Sequence, residues 1–284
     1  GYHDTYNLID KFNSHISFTE DEEIEGKKIL EKIGLPQNAK FVCLIVRDSG
    51  YLNRYAEQEN LERWNYHKYR DGDIDKYVMA AEELASRGYY VFRMGTHVKK
   101  ELKSANSKII DYANSEIRSD FMDIFLGAKC SFCVSTATGF DAIPVIFRRP
   151  IAYIVVPIGI CNASSKNFLL LTKHHINRLT KKELSISEIF SSNVGIAYSV
   201  KEFEDNNIEL QENTPEEITD LVIEMDDRLK GTWKETDEDI LLQKSFWSTF
   251  DRCMNSFVPN PDQYGKIKSK FSAKYLRNNK NWKN

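Results

Sequence analysis

Short continuous apolar runs alternate along this chain with stretches in which apolar residues recur every three or four positions. Phe41-Val-Cys-Leu-Ile-Val46 is a run of the first kind. Its length and its Val and Ile content predict a strand buried on both faces, as in a parallel sheet. Tyr89–Phe92, Ile109–Tyr112, Cys130–Val134 and Ile151–Val156 predict four more strands. Helical stretches lie between them. Thr19 and Glu22 have capping-box spacing ahead of Leu30 and Ile33, and Gly34 and Pro36 end that helix. Ile74–Arg87 is periodic and stops at Gly88. Ser119 caps a helix carrying Phe121, Ile124, Phe125 and Leu126, and a short helix over 140–147 is broken by Pro150. Strand and helix in alternation predict an α/β protein with a Rossmann-like, doubly wound parallel sheet.

Beyond Pro157 the pattern loosens. Thr180-Lys-Lys-Glu183 has the spacing of a helix start, and Thr214-Pro215-Glu216-Glu217 starts another that runs through Leu221 and Met225 to Gly231. A last helix is expected over 237–254. Residues 51–73 are too polar for core and, with Tyr51, Trp64 and Tyr69, too aromatic for a linker, which suits a functional loop. The chain divides on this reading into a linker and helix (1–40), a Rossmann-like domain (41–235), and a C-terminal helix with a basic tail (236–284).

Composition narrows the class. In 284 residues, 41% are hydrophobic and 29% charged, which excludes wholesale disorder. Lys+Arg 39 against Asp+Glu 42 gives a net charge of -3, so a global electrostatic grip on nucleic acid is not expected. Residues 265–284 hold seven basic residues and no acidic one, leaving 32 basic against 42 acidic residues elsewhere. With Phe271, Tyr275, Leu276 and Trp282 interleaved, the tail could lie on an anionic membrane surface, the alternative being a solvated, frayed terminus. Five cysteines at irregular spacing argue for a reducing compartment, and Cys130-Ser-Phe-Cys133 reads as buried thiols rather than a metal or redox motif. No run of 18 apolar residues and no basic-then-apolar leader is visible. A cytoplasmic protein is the expectation, one that could touch the inner membrane face through its tail.

The candidate chemistry gathers where the predicted strands end, because ligands of open α/β sheets bind outside the carboxyl ends of the strands. Arg47 follows the first strand, Arg93 and Gly95 the second, and Ser135-Thr136-Ala137-Thr138-Gly139 the fourth. Two arginines and a hydroxyl-rich loop before a helix suit the phosphates of a nucleotide. Each feature also has an ordinary structural reading, an ion pair for either arginine and a helix cap for the loop. The P-loop and dinucleotide fingerprints, H-E-x-x-H and G-x-S-x-G are absent. Adjacent His174 and His175 do not suit one metal ion, and Asp71-Gly-Asp73 fits capping better than metal binding, so no metal is expected. Asp48, Arg70, Asp71 and Asp73 lie in or beside the aromatic stretch. One carboxylate there can serve as general base, and Asp48, fixed by the strand before it, is the leading candidate.

Several segments together resemble a family of bacterial glycosyltransferases associated with surface-polysaccharide synthesis. They are Phe41-Val-Cys-Leu-Ile-Val-Arg-Asp-Ser-Gly-Tyr51, Tyr69-Arg-Asp-Gly-Asp-Ile74, Arg93-Met-Gly95, Arg118-Ser-Asp-Phe-Met-Asp123 and Ser135-Thr-Ala-Thr-Gly-Phe-Asp141. Phe147-Arg-Arg-Pro-Ile151 and Glu212-Asn-Thr-Pro-Glu-Glu-Ile-Thr219 also match. The resemblance covers most of residues 15–250. It implies a GT-B type enzyme, in which two Rossmann-like domains face a cleft and the C-terminal one holds most of a nucleotide-sugar donor. Residues 157–177 depart from the family pattern, and members are usually longer at the N-terminus. On this resemblance the chain looks like the donor-binding half and its preceding linker.

The combined expectation is a metal-independent transferase without a cofactor, moving a sugar from a nucleotide-sugar to a glycan or lipid-linked acceptor. Asp48 and Arg47 would be catalytic. Arg93, Gly95, Ser135, Thr136, Thr138 and Gly139 would hold the donor phosphates, and Tyr51, Arg70 and Asp73 the acceptor or sugar. The alternatives are a non-catalytic nucleotide- or carbohydrate-binding module and a sugar-nucleotide epimerase or hydrolase.

Overall fold

The computed structural model describes residues 4–55, 65–160, 164–257, 266–279 and 282. Seven parallel strands form its central sheet: β1 Phe41–Ile45, β2 Tyr90–Arg93, β3 Ile109–Ile110, β4 Phe132–Ser135, β5 Ile151–Val155, β6 Phe168–Thr172 and, last in the chain, β9 Lys270–Phe271. Their order is β3-β2-β1-β4-β5-β6-β9. A separate antiparallel pair joins β7 His174–Asn177 to β8 Ile208–Gln211. Every residue of β1, β5 and β6 is buried, which is why each reads as an unbroken apolar run.

The helices are, in chain order, α1 Leu8–Lys11, α2 Glu20–Lys32, α3 Gly50–Tyr55, α4 Val78–Ser86, α5 Asp120–Lys129 and α6 Ala142–Ile146. Then come α7 Ile186–Ser191, α8 Val200–Asp205, α9 Pro215–Lys230, α10 Asp237–Phe257 and α11 Ala273–Asn278. The chain steps from β1 outward to β2 and β3, then crosses back to β4 on the other side of β1. Right-handed crossovers put α4 and α5 on opposite faces of the sheet. On α4's face lies α9, with Arg87 donating to Asp226 and Asp227 at 2.9 and 2.8 Å and the Tyr89 hydroxyl donating to Asp226. On the other face α2 lies against α5, where Gly26 faces the Phe125 ring so closely that a Cβ would collide with it.

The predicted helix starts at Thr19, Ser119 and Thr214 are formed, each hydroxyl accepting from the backbone N–H three residues on. The one at Thr180 is not. Asn177 accepts from the N–H groups of Leu179 and Thr180, Lys181 takes a left-handed conformation, and the helix begins instead at Ser185, boxed with Glu188. Glu183 goes to His174, which it meets at Nδ1 while Glu217 meets Nε2, at 2.7 and 2.9 Å. His174 and His175 thus face opposite ways, and His175 is buried with Nδ1 on the Lys173 carbonyl. Burial opposes charge on His174, but the two carboxylates outweigh it and lift its pKa to about 9. A raised folded pKa contributes stability in full below the unfolded value near 6.5 and loses it as pH rises through about 9. His174→Gln is expected to lower the melting temperature at pH 6 and to have lost most of that effect by pH 10. A penalty that does not change with pH would place the ring's role in packing alone.

The described residues of 236–284 are not an appendage. β9 pairs with β6, and the Gln243 side chain on α10 bonds both the N–H and the carbonyl of Phe271, covering the open edge of the sheet. Phe271, Tyr275, Leu276 and Trp282 are buried. Lys268, Lys270, Lys274 and Arg277 pair with Asp10, Glu235, Asp220 and Asp239. These four apolar residues of the tail are thus core, and four of its seven basic side chains are met within the protein. Among the described residues no helix is long and apolar enough to cross a membrane. Cys43, Cys130 and Cys133 are buried free thiols, and burial pushes Cys43 and Cys133 up. Cys161 and Trp64 lie outside the described residues.

Candidate functional site

The strand order reverses between β1 and β4, and a cavity of about 450 Å³ opens there at their carboxyl ends. That is the position and size expected of a small-molecule site in an open α/β sheet. Ile45, Leu52, Met94, Val98, Phe140 and Ile143 give it apolar walls. Arg47, Asp48, Thr96, His97, Asp123 and Thr138 give it polar ones.

The backbone around the cavity is locked by side chains. Thr136 Oγ1 accepts from the Arg47 N–H at 2.8 Å, tying the end of β1 to the loop after β4. That loop folds around Asp141, which accepts from Ser135 Oγ at 2.6 Å and from the Thr138 N–H at 2.8 Å. Burial lifts the Asp141 pKa to about 7 against those hydrogen bonds. The hydroxyls of Ser135 and Thr136 are therefore turned inward and buried, and do not reach the cavity as phosphate donors. The helix after this loop is the expected anion site. The helix opens as a short 3-10 turn, and its own Asp141 supplies the capping carboxylate. From this loop Thr138 and Gly139 line the cavity.

Arg93 is a second correction. It is fully buried, donates to Asp111 at 3.0 Å and to the Lys100 carbonyl at 2.9 Å, and lines neither this cavity nor the one beside it. It holds the loop after β2 in place. Gly95 lines the cavity with φ +147, and a Cβ there would come within 2.7 Å of Val98. Asp48 lines both cavities, but its two oxygens accept from the N–H groups of Gly50 and Lys99, at 2.7 and 2.8 Å. A carboxylate whose lone pairs already hold two loops together is poorly placed to take a substrate proton.

Arg47 lines the cavity as expected, and its Nε donates to Asp71 at 3.0 Å. Among the described residues that is its side chain's one protein partner, so both Nη groups stay available. Arginines bear on the histidines of this region. His67 is pushed down to about 4 by burial and by Arg70 and Arg47, and His97 is lowered by burial and by Arg54 and Arg118. Burial and Arg47 lower Arg70, whose guanidinium lies 5.9 Å from the centre of the Tyr69 ring and whose Nε is buried without a hydrogen-bond partner. Arg70 lines neither cavity, and the half-exposed Tyr51 lines the first.

A second cavity, about 780 Å³, shares Val46 and Asp48 with the first. Asp71, Asp73, Lys173 and Glu212 line it. Asp73 accepts from the Asp75 N–H and pairs with Lys100, so it caps a turn and does not converge with Asp71 on a common point. Asp71 has one oxygen on Arg47 and, among the described residues, no protein donor on the other. Burial raises its pKa, against the pull of Arg47. Sequence reasoning set Asp71 behind Asp48, and missed Thr96, His97 and Lys173. Asp71 lines the second cavity and Asp123 the first.

Comparison of the chain with protein-family models, with curated proteins and with solved structures finds no match.

Proposed function

We propose that this protein is a glycosyltransferase that moves a sugar from a nucleotide-sugar donor to a glycan or lipid-linked acceptor, as the donor-binding half of a GT-B type enzyme. The Arg47–Asp71 ion pair carries the reading. Arg47 lines the smaller, half-apolar cavity at the switch point, and Asp71 lines the larger polar one beside it. One pair thus touches both compartments that a group transfer needs.

The apolar walls of the first cavity suit a base and ribose, and the Arg47 guanidinium suits the diphosphate. The acceptor hydroxyl gives its proton to the free oxygen of Asp71 as its own oxygen bonds to the anomeric carbon. The bond from that carbon to the donor phosphate breaks, and the nucleoside diphosphate leaves with the electron pair. Arg47 meets the charge that develops on it. Asp48 and Arg93 act by holding the two loops that shape the cavity. No step draws on a metal ion.

Incubation with a panel of nucleotide sugars in the presence of EDTA tests this. Release of nucleoside diphosphate, slow to water and faster with a glycan, is the expected result. Tight binding with no cleavage of any donor would favour a binding module, and an isomerised sugar nucleotide an epimerase.

A further inference from the structure

We infer that the second cavity binds the acceptor, and that it selects an uncharged, polyhydroxylated ligand. The inference rests on the transferase reading for the word acceptor, but the ligand class follows from the cavity itself. Four carboxylates and four lysines line it, so its formal charge is zero. An anionic or cationic ligand would enter without a matching excess of counter-charge.

Three of the charged groups, Lys173, Glu212 and Asp71, are also held in fixed positions, as hydroxyl recognition requires. Lys173 is buried, and its ammonium donates to the carbonyls of Tyr69, at 3.0 Å, and Asp71. Glu212 has one oxygen on the Asp73 N–H at 3.0 Å, as Asp71 has one on Arg47. Among the described residues, the second oxygen of each has no protein donor. Two oriented acceptors and an oriented ammonium can thus serve a ligand whose hydroxyls both donate and accept. An apolar ligand would leave these groups desolvated and unpaired, at a cost. The cavity is wide enough for a sugar ring and adjoins Arg47 through Asp71, so a bound hydroxyl can reach the donor compartment.

The test is saturation-transfer NMR on the full chain with no donor present, using a neutral methyl hexoside, the matching methyl glucuronide and a methyl glucosaminide. Saturation of the neutral glycoside above both charged ones is expected. Lys68→Trp adds bulk from an exposed side chain on the cavity wall and should abolish it. Glu212→Gln keeps the side-chain volume and the bond to Asp73, and should weaken binding about tenfold. Preference for a charged glycoside, no saturation by any of the three, or binding unchanged in both variants would overturn the inference. Donor cleavage is read separately, so failure of the transferase reading leaves this result standing or falling on its own.

Discussion

Asp71→Asn is expected to lower donor turnover by roughly 10²–10⁴-fold while nucleotide affinity stays within a small factor of wild type. The effect follows from position. Asp71 is fixed by Arg47 through one oxygen and keeps the other for a substrate. Asparagine preserves the shape and an acceptor for Arg47 but cannot take a proton. Asp48→Asn should behave differently. It removes a charged acceptor from two backbone N–H groups that close the cavity, so it should weaken nucleotide binding and lower the melting temperature. The pH–rate profile separates the two residues. Burial raises the Asp71 pKa, so the acid limb of wild-type activity should lie above that of an ordinary aspartate and be missing in Asp71→Asn. An unchanged acid limb in that variant, or a lost one in Asp48→Asn, would return the base role to Asp48.

Phe271→Ala is expected to cost about 3–5 kcal/mol, the usual range for truncating a fully buried phenylalanine, and to lower the melting temperature by on the order of 10 °C. Phe271 has no exposed surface and packs against the rings of Phe246, Tyr275 and Trp282, with centroids 4.4, 5.8 and 5.9 Å away. Thermal unfolding measures it directly. A loss below about 1 kcal/mol would mean that the C-terminal strand and helix are not integral to the core, and would favour the membrane reading of the tail.

That tail shows where sequence patterning stops being informative. β1, β2, β4 and β5 are legible because each is an apolar run buried on both faces, with a capped helix or a Gly stop nearby. β6 has a similar run, Phe168-Leu-Leu-Leu, but no long helix separates it from β5, so the alternation that marks the earlier strands is missing. β9 is two residues long and sits in a basic stretch, and its edge is closed by Gln243 from 28 residues away. No local signal encodes that contact.

The site divides along the same line. The rule that ligands gather at strand ends finds Arg47, Gly95, Thr138 and Gly139, all of which line the cavity. It does not say which polar groups the protein keeps for itself. Arg93 lies on the same face of β2 as Val91, two residues back, and turns into the protein to meet Asp111. Ser135 is claimed by an aspartate six residues on, and Thr136 by the N–H of Arg47, 89 residues away. The importance of Asp71 emerges only when the 71–73 loop closes on the end of β1, where the Gly72 N–H donates to the Arg47 carbonyl.

The central claim, that the switch-point cavity holds a nucleotide diphosphate, is tested most directly by thermal shift of wild type and Gly139→Val across nucleoside diphosphates. Gly139 has an ordinary φ, and a Cβ added there meets nothing within 4 Å, so valine fits the empty protein and takes up cavity space instead. At a hundredfold excess over Kd, wild type should gain about 2.7 kcal/mol from one nucleotide of the panel. Gly139→Val should unfold at the same temperature as unliganded wild type and gain nothing. No stabilisation of wild type by any nucleotide, or equal stabilisation of both proteins, would contradict the assignment.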